Sequence, residues 1–442
     1  MKKGKQVEGT IGFVRNGHAY LTVDNQADDL FIHKKNTGQS LNGDRVKVSV
    51  VEDKSGKGSG VQGVVNEVSE RKQADFSGVI DINTEKGFAF VRTAGGNMPV
   101  DFYVPMEHLN GAKNGELVIV KLHRWYKKDK SPKGIIIKVL GAAETHETEM
   151  GNIMFKHGID YDFPPAVDKE ANDIPVEISE KEILKRRDMR GDLTLTIDPD
   201  SAKDFDDAIS FKQLGNGNYE IGVHIADVTH YIRSGSELDK EAYKRATSVY
   251  LVDRCIPMLP ERLSNGICSL RPNEDKLTFS VIFEMSSEGK VVNHKFKKTI
   301  INSDFRFSYE QAQDVIEKGH AKMWELTNDA PGVADSIDAI VTLNDIAKKV
   351  RKERFKEGAV TFNRREPQFI LDEKGVPTDV FFHESKDAHQ LIEEYMLLAN
   401  KYVATYSYGL TKPYIYRTHD LPDEEKLAEL SAFVSQFGYH FN

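Results

Sequence analysis

A repeat within the first 143 residues limits the fold of this chain more than any other sequence feature. Residues 17–21 (GHAYL) correspond to 87–91 (GFAFV), and 29–33 (DLFIH) correspond to 101–105 (DFYVP), at offsets of 70 and 72 residues. Each copy has the pattern of about five short strands separated by Gly and Asn turns. The sequence therefore predicts two small β-barrels in tandem.

The length and composition indicate a globular protein without membrane segments. At about 150 residues per domain, 442 residues suggest roughly three domains, and 29% charged with 39% hydrophobic residues argue against a mostly disordered chain. No apolar run approaches the ~18–20 residues that span a bilayer, and the first residues lack an apolar signal segment. Cys255 and Cys268 form neither a disulfide framework nor a zinc site. We expect a cytoplasmic monomer that uses no membrane and no organic cofactor.

The charge is distributed unevenly along the chain. Residues 1–143 hold 22 Lys and Arg against 16 Asp and Glu, which is a net charge of +6. The whole chain carries −9, so the remainder carries −15. A basic front part suggests contact with a polyanion. The acidic remainder fits either bound cations or ordinary solvated surface.

Aromatic residues on neighbouring predicted strands of each barrel are candidates for stacking on bases. Alternate residues of a strand share one face, so these rings can form an exposed platform. Bases stack on such rings with little sequence preference. The alternative is that the rings fill the barrels, which is the more common position of Phe on a strand. The candidates, with one adjacent lysine, are Tyr20, Phe31, Lys34, Phe88, Phe90, Phe102 and Tyr103.

The densest group of carboxylates lies in residues 198–207 (DPDSAKDFDD), between two strand-like runs. Five carboxylates at the ends of two strands repel each other unless cations neutralise them. Oxygen ligands at this density suit Mg²⁺ or Mn²⁺. A calcium loop of the EF-hand type is excluded, because Lys203 and Ile209 stand where that loop needs Gly and Glu. Turn caps explain one or two of these aspartates, but not five.

Such a cluster predicts phosphodiester hydrolysis assisted by metal ions. Two hard cations about 3.5–4 Å apart can polarise a phosphate, generate a hydroxide and stabilise a leaving oxygen. This chemistry needs several carboxylates and no Cys, Ser or His nucleophile. In an extended segment Asp204 and Asp206 share a face and Asp207 points away, so we expect a bulge to bring Asp207 to the site.

Five motifs in a fixed order are the most specific feature of the chain. They are residues 196–208 (TIDPDSAKDFDDA), 223–228 (VHIADV), 256–260 (IPMLP), 391–400 (LIEEYMLLAN) and 417–420 (RTHD). They resemble the motifs of the RNase II/RNase R (RNB) family of exoribonucleases. In addition, the segments KGFAFV and LFIH of the two repeats are similar to the RNA-binding strands of cold-shock domains, which have the OB fold.

The resemblance implies a fold and an activity. The fold is mixed, with cold-shock/OB-fold β-barrels at 1–70 and 71–143, a linker and entry segment at 144–190, and an α+β RNB catalytic domain at 191–442. The activity is processive hydrolysis of single-stranded RNA from the 3′ end to 5′-nucleoside monophosphates with Mg²⁺. In the family, the catalytic domain continues beyond the last motif and supplies an arginine and an S1 domain. We therefore expect the domain to be incomplete at its C-terminus.

The resemblance also assigns site residues by position. Asp198, Asp204, Asp206 and Asp207 match the catalytic and metal-binding aspartates. Tyr250, Phe362 and Glu393 match residues that bind the RNA 3′ end.

These assignments have structural alternatives. Tyr250 and Phe362 can instead be core aromatics. On the predicted helix from Ala388, Glu393 and Glu394 lie off the apolar stripe, which by itself indicates solvated side chains. His224, in the second motif, is expected to be structural. For the whole chain, the alternative to an exoribonuclease is an RNA-binding cold-shock module without activity.

Overall fold

The structure is a computed structural model that describes residues 4–24, 26, 28–52, 60–93, 100–319, 332–360, 366–373, 375–411, 413–418 and 420–440. Its contacts divide the chain into two compact units, Met1–Asp162 and Phe163–Asn442. The repeat lies in the first unit, and the carboxylate cluster lies in the second.

The first copy of the repeat forms a closed five-stranded barrel. Its strands are β1 (Gln6–Phe13), β2 (Ala19–Thr22), β3 (Leu30–Ile32), β4 (Arg45–Glu52) and β5 (Val61–Glu70), in the spatial order β1-β2-β3-β5-β4. Side chains alternate between the inside and the outside along β1, β2 and β4. This period of two places Ile11, Leu21 and Val48 in the barrel core.

The second copy forms a barrel of the same type. Its strands are β6 (Asp75–Asn83), β7 (Phe88–Thr93), β8 (Phe102–Pro105), β9 (Glu116–Arg124) and β10 (Lys133–Ala142), in the order β10-β8-β7-β6-β9. Leu41, from the first copy, is buried among the core residues of this second barrel and so joins the two. Helix α1 (His146–Lys156) follows, with Thr145 as its N-cap.

One predicted platform residue belongs to the core instead. Phe102 is fully buried, and its ring lies 5.1 Å from that of Phe76 inside the second barrel. The prediction that Phe102 stacks on bases is therefore wrong. The reason is strand parity: Phe102 and Val104 point inward along β8, so Tyr103 points outward.

The second unit is built on a mixed sheet that has seven strands within the described residues. They are β11 (Arg187–Asp188), β12 (Thr194–Asp198), β13 (Asp207–Gln213), β14 (Tyr219–Ala226), β17 (Asp275–Met285), β18 (Val291–Asn302) and β19 (Phe305–Ser308), ordered β11-β18-β17-β14-β13-β12-β19. Two separate hairpins pair β15 (Val249–Tyr250) with β16 (Cys255–Ile256) and β20 (Glu366–Leu371) with β21 (Pro377–His383).

Apolar side chains on both faces of the sheet are covered by helices. The described helices of this unit are α2 (Pro165–Asp173), α3 (Glu180–Ile183), α4 (Val228–Tyr231), α5 (Glu237–Arg245), α6 (Tyr309–Lys318), α7 (Val333–Lys356), α8 (Asp387–Gly409) and α9 (Glu424–Ser435). One core lies between the sheet and α6, α7 and α8. The other includes residues of α2, α5 and the π-helix Arg262–Ile267. No described helix is both long and apolar enough to cross a membrane.

The predicted fold class is confirmed. Two OB-type barrels precede a mixed α/β domain, and both repeats have the five strands that their turn pattern predicts. The apolar stripe predicted on α8 is also present, because Ala388, Leu391, Ile392, Tyr395 and Ala399 are buried against the sheet and α7.

The two neighbouring aromatics of β8 give a test of this barrel. Phe102→Ala should lower the free energy of unfolding by about 3–5 kcal/mol, because it leaves a cavity in the core. Tyr103→Ala should cost about 1 kcal/mol or less, because that ring lies on the outer face. Denaturant unfolding followed by circular dichroism measures both. Equal losses would contradict the assigned register.

His224 is a structural residue, as expected, but its hydrogen bonding is incomplete. The ring is fully buried, and Nδ1 lies 2.7 Å from Oγ of Ser280. Nε2 is buried with no hydrogen-bond partner among the described residues. Burial lowers the pKa of His224 to about 3. The imidazole is therefore neutral in the folded protein near neutral pH.

This buried histidine should make the second unit sensitive to acid. Below its ordinary pKa of about 6.5 the histidine takes up a proton only in the unfolded state, so stability falls as the pH falls. The loss from this group should be about 1.6 kcal/mol between pH 6.5 and pH 5. His224→Gln should lose less stability over that range in parallel urea titrations. Identical pH slopes would refute the assignment.

Candidate active site

The four predicted catalytic aspartates lie where strand β12 ends and the adjacent strand β13 begins. Asp198 is the last residue of β12, and Asp207 is the first residue of β13, which runs antiparallel to β12. Asp204 and Asp206 lie in the connection, where residues 202–206 have no regular secondary structure. β13 then pairs with β14 in continuous register from Asp207 opposite Ile225. The irregular connection, and not the bulge that we expected, brings Asp207 to the site.

The backbone of this connection is held from two sides. The Phe205 side chain is buried, and its N–H donates to Oγ of Ser269 at 3.0 Å. Ser269 Oγ donates to the carbonyl of Lys203 at 2.8 Å, and the Leu270 N–H donates to the carbonyl of Phe205 at 2.8 Å. On the other side, the Ala226 N–H donates to the carbonyl of Asp206 at 3.0 Å. Phe205 thus acts as an anchor that leaves the flanking aspartates outside the core.

Arg306 holds the beginning of the same connection. It lies on β19, which runs parallel to β12. Its Nη2 donates to the carbonyl oxygens of Pro199 and Asp200 at 2.8 and 2.6 Å. Its guanidinium carbon lies 5.5 Å from the centre of the Phe205 ring. One arginine therefore contacts both ends of the segment that carries the carboxylates.

Burial and mutual repulsion perturb the carboxylates. Burial raises the pKa of Asp198 to about 7, and the charge of Asp207 adds to this shift. Burial likewise raises the pKa of Asp207 to about 6, with a contribution from Asp206. Desolvation and the charge of Asp204 raise the pKa of Asp206. The pKa values of Asp198, Asp206 and Asp207 are thus each raised in part by a neighbouring aspartate, and shifted acids that act on each other are typical of functional sites.

The donor set suits a hard cation. Oδ2 of Asp198 is buried with no hydrogen-bond partner among the described residues, and an orphaned carboxylate oxygen is costly unless a cation or proton satisfies it. No three His, Cys, Asp or Glu side chains in the described part of the chain already form a metal-binding group. The chemistry of the carboxylates therefore fits Mg²⁺ or Mn²⁺, whereas full coordination requires the side chains to adjust or other ligands to join them.

Two tyrosines flank the carboxylates. The Oη of Tyr250 donates to Oδ2 of Asp204 at 3.1 Å, and its ring is largely exposed. The prediction that Tyr250 lies at the site agrees with this contact, and the core alternative is excluded by the exposure. Tyr309 follows Ser308, which pairs with Asp198 across β12 and β19. Burial and the charges of Asp207 and Asp198 raise the pKa of Tyr309 to about 12.

The two glutamates of α8 have different environments. Glu393 is half-exposed, with its Oε1 3.5 Å from Nη2 of Arg354. Glu394 is buried and accepts from Nε of Arg354 at 3.0 Å and from Nη1 of Arg351 at 3.3 Å. The interpretation of Glu394 as solvated is therefore wrong, because two arginines of α7 satisfy it inside the protein. Phe362 lies outside the described residues.

Each barrel carries aromatic rings on its outer face. In the first barrel, Tyr20 lies opposite Phe31 with ring centres 5.7 Å apart, and exposed Lys34 follows in the next turn. We call this pair the first platform. In the second barrel, Phe88, Phe90 and Tyr103 form a triangle with sides of 5.6, 5.8 and 5.8 Å. We call this triangle the second platform.

Models of known protein families match both units of the chain. A model of the RNB domain matches residues 186–441, which include all four aspartates. Models of the Ribonuclease B OB domain and of the cold shock domain match residues 9–66 and 90–164. The chain belongs to the RNB family. The resemblance to the RNB family that residues 196–208 indicate is therefore confirmed.

Individual RNB proteins resemble most of the chain. Ribonuclease R of Thermotoga maritima is 37% identical over 436 residues, which cover 97% of this chain and 59% of the relative. Inactive exonuclease DIS3L2 of Arabidopsis thaliana is 34% identical over 347 residues, which cover 77% of this chain and 33% of the relative. The chain thus spans little more than half of the Thermotoga relative.

A solved RNB structure has the same fold. Mycoplasma genitalium RNase R in complex with ribose-methylated single-stranded RNA matches with a TM-score of 0.83 at 23% identity, over 99% of this chain and 67% of that one.

Several residues that shape the site were not found by sequence reasoning. Arg306, Tyr309 and Ser269 lie about 60 to 110 residues from the aspartates along the chain and reach them only through the sheet and the π-helix. His389 stacks on Tyr309 with ring centres 4.0 Å apart. A capping pattern at Ser308–Gln311 signals the start of α6, but it does not indicate what lies beside it.

When no metal is bound, repulsion among the aspartates should lower the free energy of unfolding of the protein. In EDTA at pH 8, Asp198→Asn should raise the free energy of unfolding by about 1 kcal/mol, because it removes a charge from desolvated surroundings. Asp200→Asn is the matched control, because the Asp200 side chain is 85% exposed and its ion pair with Arg306 at 3.5 Å is screened by solvent. Denaturant melts compare the two. Equal effects, or destabilisation by Asp198→Asn, would contradict the repulsion.

Proposed function

We propose that this chain carries the catalytic centre of a 3′–5′ exoribonuclease that hydrolyses single-stranded RNA processively to 5′-nucleoside monophosphates with Mg²⁺, or alternatively Mn²⁺. The observation that carries the proposal is the coupled set of four aspartates at the ends of β12 and β13, with one buried oxygen left unsatisfied. Membership of the RNB family and the name of the Thermotoga relative support it.

The aspartates are suited to hold cations beside a phosphate. Asp198, Asp204 and Asp207 are partly buried, and Asp206 is exposed. When bound, divalent cations would polarise the phosphate and lower the pKa of a water molecule. The protein contributes rigidity, since the Ser269, Leu270 and Arg306 bonds hold the backbone in place before substrate arrives.

Tyr250 is positioned to receive the end of an RNA chain. Its hydroxyl is held by Asp204, while its ring remains available for stacking on a base. Glu393 is half-exposed on α8 and retains its proposed role at the RNA 3′ end, with Arg354 as its neighbour. Tyr309, beside Asp198 and Asp207, adds a hydroxyl on the other side of the carboxylates.

The barrels supply a surface for single-stranded RNA. The first and second platforms offer rings on which bases stack, and the net charge of +6 over residues 1–143 favours a polyanion. Binding by stacking and charge depends little on sequence, which suits an enzyme that degrades many RNAs.

Cleavage of 5′-labelled single-stranded RNA tests the proposal. With Mg²⁺ the chain should produce a shortening ladder and nucleoside 5′-monophosphates, and EDTA should abolish both. Asp206→Asn should reduce the rate by more than about 100-fold, because even changes around a metal ligand cost 10–100-fold. RNA binding by Asp206→Asn should stay within about twofold of wild type, because the platforms are unchanged.

Asp200→Asn is again the matched control and should cleave at the wild-type rate. A labelled RNA chased with excess unlabelled RNA tests processivity, and a blocked 3′ end tests direction. A gel shift without any cleavage by the wild-type chain would refute the catalytic proposal and favour an RNA-binding module. Equal loss of binding and cleavage in Asp206→Asn would refute the separation of the two tasks.

A further inference from the structure

We propose that the second barrel has an additional base-stacking position at Tyr126, in the loop between β9 and β10. Single-stranded RNA would run from the second platform across Lys133 and Arg124 to reach it. The inference rests on the proposed RNA-binding function and extends the surface that performs it.

One continuous row of paired residues leads from the platform to this loop. Phe90 pairs with Tyr103 across β7 and β8, Tyr103 pairs with Lys133 across β8 and β10, and Lys133 pairs with Arg124 across β10 and β9. Residues paired directly across strands point to the same side of a sheet. The register shifts just after the Lys133–Arg124 pair, but Lys133 contacts the outward ring of Tyr103 and Arg124 is exposed. The two cations therefore lie on the outer face beside the platform.

The distances along the row suit alternating contacts with bases and phosphates. Nζ of Lys133 lies 5.9 Å from the centre of the Tyr103 ring, and the guanidinium carbon of Arg124 lies 5.8 Å from the centre of the Tyr126 ring. Strands are spaced about 4.8 Å apart, so Tyr103 and Arg124 are separated by about 10 Å. A short oligonucleotide can span this length.

The loop holds Tyr126 in a defined place. The Tyr126 N–H donates to Oδ2 of Asp129 at 3.1 Å, and the Asp129 N–H donates to the carbonyl of Tyr126 at 2.9 Å. Nε1 of Trp125 donates to the carbonyl of Asp129 at 3.2 Å, and the Trp125 ring packs against the barrel core. The Tyr126 ring is nevertheless 55% exposed. A rigid loop that presents an exposed ring binds at a low cost in conformational entropy.

The charges around Tyr126 favour a polyanion. Lys127, Lys128 and Lys130 are exposed on the same loop, and none of them forms an ion pair with another described residue. The same holds for Arg124 and Lys133 within the described ranges. Loops between the fourth and fifth strands of OB barrels are among those that contact oligonucleotides. Single-stranded RNA fits this surface because it offers both phosphates and bases.

The first barrel does not share this arrangement. Its corresponding strands pair Val51 with Gln62, neither of which carries a charge. The sequence of its loop, residues 53–60 (DKSGKGSG), contains no aromatic residue. The extra position is therefore a property of the second barrel and not of the repeat.

Fluorescence anisotropy with labelled oligoadenylates of increasing length, in EDTA to prevent cleavage, tests the inference. Tyr126→Ala should weaken the binding of long oligomers about 5- to 150-fold, which corresponds to the 1–3 kcal/mol of one stacked base. The shortest oligomers that bind only the platform should be unaffected. Tyr126→Phe should bind like wild type, because the ring is kept. Tyr161→Ala, which removes a tyrosine that is 53% exposed elsewhere in the same unit, is the matched control.

Salt titrations provide a second measurement. Lys133→Gln should reduce the slope of log affinity against log salt by about 0.7, because single-stranded RNA loses one phosphate contact. If Phe90→Ala weakens binding while Tyr126→Ala and Tyr161→Ala both bind like wild type, the Tyr126 position is refuted and the platform stands. If the wild-type chain binds no oligoadenylate, the proposed RNA-binding function itself fails.

Discussion

Carboxylates that are close together and partly removed from water repel each other, and much of the second unit serves to hold four of them despite that cost. The core anchors Phe205 between Asp204 and Asp206, and Ser269 and Leu270 fix the backbone around it. Arg306 holds the other end. Arg306 offsets only part of the repulsion, because the pKa values of Asp198 and Asp207 remain raised. Acids whose pKa values are shifted by burial and by each other are typical of functional sites, which is why we propose a cation site here.

The two units divide charge and chemistry between them. The barrels are basic and carry the aromatics of the two platforms on their outer faces, because a two-residue period leaves alternate side chains outside the core. The remainder is acidic, and its carboxylates are concentrated where strands of one sheet end. The proposed binding of RNA and the proposed hydrolysis of RNA therefore depend on residues of different units. The second barrel differs from the first in that two cations, Lys133 and Arg124, lie beside its platform.

The sequence predicts the strands of the two barrels and the helix α8, but not the residues of other elements that lie beside them. The repeat predicts ten strands, and the alternation of side chains predicts an outward face on each barrel. At Phe102 and Tyr103, however, two adjacent aromatics fit this alternation equally well until it is known which of them points outward. Glu394 looks solvated on a helical projection because the projection contains only its own helix. Arg351 and Arg354, which bury it, come from α7. Tyr309 and Arg306 were missed because their contacts with the site depend on the pairing of β12 with β19.

The sequence by itself determined the tandem barrels, the family and the place of the acidic segment 198–207, because local period, turn residues and the order of motifs can be read along the chain. Only the tertiary structure decided which aromatic of β8 is core and how Asp207 reaches the site. It also decided which residues hold the connection between β12 and β13. Those features depend on strand register and on contacts between residues far apart in sequence, which no local pattern specifies.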